Sequence, residues 1–520
     1  IEGESCRQIL RPASKSLESH HRKESTNVEL HSNNYLVKVM GSSRFFDFLF
    51  NKNDKVSIPL LCLGLGLVLY RNNLNSVVVI SLIIAGFWGL IRILTKTKIF
   101  AKDENDIRNP SFKRKAKLFS MVIVALVSII IVTASIALNF ADDFGGDPQK
   151  YDSPNYKDDK FVNLQPTEMG SDENASFWET LGQYMKSDDY RSPNIKLPSE
   201  PFSLEDLEDG EVSITWLGHS TIFIRSNDVT LITDPVFGDH GAGPLSLGPR
   251  PFAYENTYSI EQLPEIDYVF ISHDHYDHLD MKTAKYLKNS QFFVPLGVKS
   301  HLLVWGIDED NIQEFDWYDE VEVSSDLNAI MTPARHFSGR GLFNGDSTLW
   351  ASWVLNLHDE NIYFSGDTGY MEEFAEIGER YGPFDIAFLE SGQYNIAWKE
   401  IHMMPDEVVK AGLDLNADVI LPIHNSKYEL ALHRWDEPLE KVSTIGFENN
   451  LTVATPLIGQ NYVLGDPVPM DAWWRNVSMG EQPFLKQNSF VGILLAPMNI
   501  IAILWVILPR MKTEFSDNEE

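Results

Sequence analysis

The stretch that most restricts how this chain can fold is Val269 to Asp280, where the apolar run Val269-Phe270-Ile271 leads into His273-Asp274-His275-Tyr276-Asp277-His278. A β-branched and aromatic run of this kind reads as a buried strand. Imidazoles and carboxylates packed this densely are costly to bury without partners. A strand that ends at a cation resolves that conflict. Residues two apart on a strand end point the same way, so His273 and His275 can hold one cation together. Asp277 and His278 fall past the strand, where the chain turns, and can face a second cation beside the first. Asp274 points opposite to its two histidine neighbours and is left out of the ligand set. A polar loop with solvated histidines suits an isolated histidine better than this cluster.

Three later segments end in the same way. Met331-Thr332-Pro333-Ala334-Arg335-His336 delivers His336, Ile362 to Thr368 delivers Asp367 on a glycine turn, and Val419 to His424 delivers His424. With the cluster, these supply five imidazoles and two carboxylates, the donor set of a two-metal site. The two cysteines, Cys6 and Cys62, build neither a disulfide framework nor a thiolate site, so histidine and carboxylate must hold any metal. His301, His358 and His433 lack matching partners and read as ordinary. Asp234 reads either as a group orienting a ligand histidine or as a plain Asp-Pro turn. His219 either supports the same shell or fills its turn.

The surrounding sequence alternates short strands and helices. Strands are expected at 213–217, 221–225, 230–235, 267–272, 291–295, 349–357, 361–365, 385–389 and 418–422. Helices are expected at 177–185, 281–287, 371–381 and 405–413. Early hairpins followed by alternating strands and helices predict an α/β fold of two sheets covered by helices. No internal repeat is visible in the sequence.

Outside this region lie four apolar runs: Ile58 to Tyr70, Val77 to Leu94, Leu118 to Phe140 and Phe490 to Leu508. About 20 apolar residues span a bilayer, so the last three qualify and the first is marginal. The division expected is a disordered or variable N-terminus over 1–56, transmembrane helices over 57–140 and a linker over 141–170. The domain that carries the histidine cluster follows over 171–488, then a C-terminal transmembrane helix over 489–510 and a tail over 511–520. Lys96, Lys98, Lys102, Arg108 and the basic residues 113–117 mark the loop before the third run as cytoplasmic. The protein is thus expected to be integral to a membrane, with the domain that carries the histidine cluster on the non-cytoplasmic side. A formal net charge of -31 argues against a nucleic-acid partner.

The order of motifs resembles the metallo-β-lactamase superfamily, and within it the branch of N-acylphosphatidylethanolamine-hydrolysing phospholipase D and its bacterial relatives. The resemblance covers residues 155 to 465. It rests on the His-x-His-x-Asp-His cluster, Thr215-Trp216-Leu217-Gly218-His219-Ser220-Thr221, Thr233-Asp234-Pro235-Val236-Phe237 and Gly248-Pro249-Arg250. It continues through Thr332 to His336, Gly366-Asp367-Thr368-Gly369-Tyr370, Tyr381 to Asp385 and Ile401-His402-Met403-Met404-Pro405.

The resemblance implies an αβ/βα sandwich with two zinc ions at one edge between the sheets. It places His273, His275 and His336 on the first zinc, Asp277, His278 and His424 on the second, and Asp367 as the bridge. Asp277 and His402 then carry catalytic roles, His402 as leaving-group acid or substrate contact. The partners implied are the lipid bilayer and a phospholipid or other small-molecule substrate, and a homodimer is compatible with the sequence. One departure stands out. Relatives read His-Trp-Gly where this chain has His424-Asn425-Ser426, which makes the wall beside that ligand smaller and polar.

Overall fold

The computed structural model describes residues 142–168, 190–237, 242–244, 248–341 and 344–477. The four apolar runs, the N-terminal residues and the helix expected at 177–185 lie outside them. Among the described residues no helix is long and apolar enough to cross a membrane.

In chain order the strands and α-helices are β1 (Tyr156–Lys157), β2 (Lys160–Phe161), β3 (Ser213–Trp216), β4 (Ile222–Arg225), β5 (Thr230–Thr233), β6 (Tyr268–Phe270), α1 (Met281–Tyr286), β7 (Gln291–Pro295) and α2 (Lys299–Val304). They continue with β8 (Ile312–Phe315), β9 (Glu320–Glu322), β10 (Leu327–Thr332), β11 (Ser352–Leu357), β12 (Glu360–Phe364), α3 (Glu373–Tyr381) and β13 (Ile386–Glu390). Last come α4 (Pro405–Asp414), β14 (Val419–Ile423), α5 (Glu437–Glu448), β15 (Thr452–Val453) and β16 (Asn461–Val463).

Two seven-stranded sheets result, ordered β16-β3-β4-β5-β6-β7-β8 and β15-β14-β13-β12-β11-β10-β9. Each opens as an antiparallel meander and turns parallel, from β5 onward in one and from β12 onward in the other. Parallel neighbours need crossovers, and α1 to α5 supply five of them. The two halves therefore share a plan that no sequence repeat announces.

Alternation along the strands explains the layering. In β4 and β5, Ile222, Ile224 and Leu231 face the core between the sheets, with Trp353, Phe364 and Phe388 from the other side. Phe223 and Ile232 face outward and pack with Ala284, Leu287 and Leu302 under α1 and α2. The second sheet does the same with Val354, Tyr363 and Leu389 beneath α3 and α4. Strands buried on both faces read as unbroken apolar runs, which is why they stand out in the sequence.

Residues 142–168 have the composition of a linker, yet they pack on the domain. Phe161 is buried in the inter-sheet core, and its N–H donates to the Asp346 carbonyl. A turn-rich acidic segment is still held in place when one aromatic side chain docks, and Phe161 has Tyr151 and Tyr156 as ring neighbours. The strands at the site end of the two sheets are tied to each other. Ala351 N donates to Ser272 O at 2.9 Å and Trp353 Nε1 donates to Ile271 O at 2.9 Å.

Candidate metal centre

Four turns bring the site together. At the end of β6 the chain tightens, with the N–H groups of His278 and Leu279 both donating to the His275 carbonyl. This swings Asp277 and His278 away from His273 and His275. Asp280 then caps α1, its side chain accepting the Thr283 N–H at 2.9 Å. After β12, Gly366 adopts a φ of 56°, and a Cβ there would lie 2.4 Å from the Ser272 Cβ, so only glycine lets Asp367 enter. After β14, His424 itself takes a φ of 61°. His424 N donates to His219 O, and His219 N donates to Asn425 O, so the β3–β4 turn and the end of β14 lock together across the sheets.

The seven residues expected to bind metal converge, in two groups. Ligand atoms of His273, His275, His336 and Asp367 all lie within 4.8 Å of one another, as do those of His219, Asp277, His278 and His424. Asp367 Oδ2 stands between the groups, 3.8 Å from the Nε2 atoms of His273 and His336, 3.2 Å from His278 Nε2 and 3.1 Å from His424 Nε2. His273 Nε2 and His275 Nδ1 lie 2.9 Å apart.

These residues fit a metal. Donor atoms around one zinc at bonds of ~2.1 Å sit roughly 3.4 Å from each other in a tetrahedron, close to the spacings seen. His278 Nε2, His424 Nε2 and Asp367 Oδ1 are moreover buried without a hydrogen-bond partner among the described residues. Orphaned buried atoms are costly, and a cation satisfies all three.

The supports behind the two groups differ. In the first, His273 Nδ1 meets the Ser272 hydroxyl at 2.9 Å and His336 Nδ1 donates to the Ile401 carbonyl at 3.1 Å. In the second, His278 Nδ1 donates to Asp234 Oδ2 at 2.7 Å and His424 Nδ1 donates to Glu390 Oε1 at 3.2 Å. Asp234 also accepts from the Ser272 N–H at 2.7 Å, so its carboxylate orients a candidate ligand and is more than an Asp-Pro turn. His219 Nε2 donates to Asp277 Oδ2 at 2.9 Å, which makes it a support of that carboxylate.

Electrostatics follow the supports. Burial, reinforced by neighbouring imidazoles, pushes the His273 pKa well below that of a free imidazole, and burial does the same to His336. Burial also acts to lower His278 and His424, but the nearby carboxylates outweigh it. Asp367 and Asp277 raise His278, and Asp367, Asp277 and Glu390 raise His424 to about 9. Burial works to raise Asp277 and Asp367, yet the adjacent histidines hold both well below the usual carboxylate range.

His402 reaches the edge of the centre. Its Nδ1 donates to Glu390 Oε1 at 3.3 Å, and its ring lies parallel to that of His424 at 5.2 Å. Asp274 faces away from the metal positions, toward His301 and the Gly339 N–H. Asn425 and Ser426 are both buried. Asn425 Nδ2 donates to the Pro422 and Ile423 carbonyls, and the Ser426 hydroxyl donates to Asn425 Oδ1.

The residue that reading by motif overlooks is Glu390. It ends the otherwise apolar β13 and is fully buried, and it receives His402, His424 and the Met403 N–H. The signal was available: Phe388-Leu389-Glu390 closes a buried strand on a carboxylate, as the strand before Asp367 nearly does.

A paired-sheet α/β fold with histidines and aspartates converging at one edge defines a metal-dependent hydrolase of the metallo-β-lactamase superfamily, and this chain belongs to it. Residues 230–425 match the family described as Beta-lactamase superfamily domain. An uncharacterized protein of Mycobacterium tuberculosis is 38% identical over 338 residues, covering 62% of this chain and 88% of its own length. The N-acyl-phosphatidylethanolamine-hydrolyzing phospholipase D 1 of Caenorhabditis elegans is 34% identical over 245 residues, covering 44% and 68%. The mitochondrial enzyme of that name from Saccharomyces cerevisiae is 33% identical over 258 residues, covering 47% and 54%.

Proposed function

We propose that this protein is a membrane-anchored, two-zinc phosphodiesterase of phospholipase D type, acting on N-acylphosphatidylethanolamine-like phospholipids. The observation that carries the reading is Asp367 Oδ2 standing between two histidine groups, with His278 Nε2, His424 Nε2 and Asp367 Oδ1 buried and unpartnered among the described residues. The names of the worm and yeast relatives supply the substrate class. The apolar runs at 118–140 and 490–508 would keep the domain beside lipid, on the non-cytoplasmic side.

His273, His275 and His336 would hold one ion, Asp277, His278 and His424 the other, and Asp367 both. Zinc bound there supplies Lewis acidity, making a water nucleophilic near neutral pH and offsetting charge on phosphoryl oxygens. Asp277, fixed by His219, orients that water and accepts its hydrogen bond. Water adds its oxygen to phosphorus, and the bond from phosphorus to the N-acylethanolamine oxygen breaks. His402, steadied at Nδ1 by Glu390, hands a proton from Nε2 to the departing oxygen. The products are phosphatidic acid and an N-acylethanolamine.

The test is the full-length protein in mixed micelles with a panel of phospholipids. Phosphatidic acid released from the N-acylated substrate is the expected result. Turnover of a soluble diester or lactone, with no phosphatidic acid formed, overturns the lipid assignment. That outcome would favour a second reading, the same chemistry on a soluble ester, lactone or nucleotide, for which the altered Asn425-Ser426 corner is the motivating feature.

A further inference from the structure

Behind the metal-binding loop sits a buried network that the proposed chemistry does not use. Arg340 is almost wholly buried, with its guanidinium 3.9 Å from the centre of the Tyr276 ring. Its Nη1 donates to the carbonyls of Asp274 and Leu279 at 2.7 and 2.8 Å, at either end of the loop that carries His275, Asp277 and His278. Its Nε donates to the carbonyl of Asp143 at 3.0 Å. Asp143 belongs to a strap, 142–146, that begins two residues after the apolar run 118–140.

A second line joins the same two places. The Gly146 N–H donates to His301 Nδ1 at 3.0 Å, so the ring proton is on Nε2, which donates to Asp274 Oδ2 at 3.2 Å. Asp274 lies between His273 and His275. The strap is shaped for this seat. A Cβ on Gly145 would lie 2.1 Å from His301 Nδ1, and one on Gly146 would lie 2.3 Å from the Ser300 carbonyl. Trp305 Nε1 fastens the strap's start by donating to the Asp142 carbonyl at 2.6 Å.

We infer that the 142–146 strap is a positioning element for the metal centre, acting through Arg340 and His301 to hold the 273–279 loop in its ligating shape. The inference rests on the reading that this centre binds metal. A displaced strap leaves Arg340 Nε and His301 Nδ1 buried without partners, and the loop relaxes to satisfy them. Loss of supports behind metal ligands typically weakens metal affinity about 10–100-fold. The segment leaving the apolar run thereby becomes part of the metal centre.

The test uses the full-length protein in detergent, with zinc affinity measured by chelator competition and hydrogen exchange followed in the 273–279 loop. The double variant G145V/G146A, which drives two side chains into His301 and Ser300, is expected to raise the zinc Kd about 10–100-fold and to speed exchange in that loop. R340K, which keeps the charge and loses the fork, gives the same direction by a route that leaves the strap sequence intact. K285A removes the exposed ion pair to Asp142 and a surface contact to Met281 Sδ, and should change neither readout. Zinc Kd and loop exchange within two-fold of the unaltered protein in both G145V/G146A and R340K overturn the inference. Absence of zinc binding by the unaltered protein instead overturns the functional reading beneath it.

Discussion

The two halves of the metal centre are built from the same residue types but backed differently. The first group rests on a hydroxyl and a carbonyl, from Ser272 and Ile401. The second rests on two buried carboxylates, Asp234 and Glu390. A carboxylate behind an imidazole makes it a stronger donor and fixes its tautomer, and it also stabilises the protonated ring. Without metal the first group is therefore a set of uncharged rings, and the second a set of rings that hold protons. Metal would enter the first by filling a gap and the second by displacing protons.

Asp367 is the element both groups share, so its removal should have the largest effect. Asp367→Ala is expected to lower metal content at both positions and to reduce activity by more than ~100-fold, beyond what loss of an outer support causes. Elemental analysis and turnover by the same preparation check it. Loss of one equivalent of metal with the other held tightly would mean that Asp367 belongs to one group only.

The next effect separates the groups. Asp234→Asn and Glu390→Gln keep shape and remove charge, and each should weaken the second group's metal affinity about 10–100-fold. Ser272→Ala, which removes a hydroxyl lying between His273 Nδ1 and Asp234 Oδ2 but no charge, should do less. Stepwise zinc titration with calorimetry resolves the two binding events. Equal losses from Ser272→Ala and Glu390→Gln would erase the distinction drawn between the groups.

What the sequence revealed and what it hid divide along the same line. The candidate ligands announce themselves, because several ligand types at strand ends have few other uses: His273, His275, His336, Asp367 and His424 could all be picked out from local pattern. The buried strands were legible too, since strands covered on both faces are apolar throughout, and Gln291–Pro295 falls where the pattern puts it. Supports are harder to see, because a support is defined by a partner far along the chain. Glu390 meets His424 across 34 residues, and Arg340 meets Asp274 across 66. Short edge strands such as β9 and β16 have too little apolar period to register, and tertiary pairing alone creates them. The strap at 142–146 was read as linker for the same reason: its two glycines signal a turn, and only the His301 ring and the Ser300 carbonyl explain why they are needed.

Acid and alkali should act on opposite halves of the metal-free protein. His424 has its folded pKa raised to about 9 from 6.5. The stability it contributes is fully present below pH 6.5 and is lost as pH rises through 9. His273 and His336 are lowered. Their contribution is present above pH 6.5 and is lost as pH falls toward their depressed values. Thermal melts of chelator-treated protein should thus decline on both sides, with the alkaline decline reduced in Glu390→Gln. Metal affinity of the second group should rise about tenfold per pH unit for each proton displaced below pH 9. A pH-independent second binding event would remove the carboxylate-backed protons from the account.

The smallest expected effect probes how far the second group depends on the helix that follows it. Asp280 caps α1 two residues after His278, accepting from both the Thr283 N–H and the Thr283 hydroxyl. Asp280→Ala should cost about 1 kcal/mol of stability, the usual value of an N-cap. His273 and His275 are held by the end of β6, upstream of the cap, whereas Asp277 and His278 lie on the turn that the cap terminates. The loss should therefore appear as a modest weakening of metal binding by the second group, with binding by the first unchanged. An equal weakening of both would mean that the 273–279 loop moves as one rigid piece, and that the difference between the groups lies in their carboxylate supports and not in their anchorage.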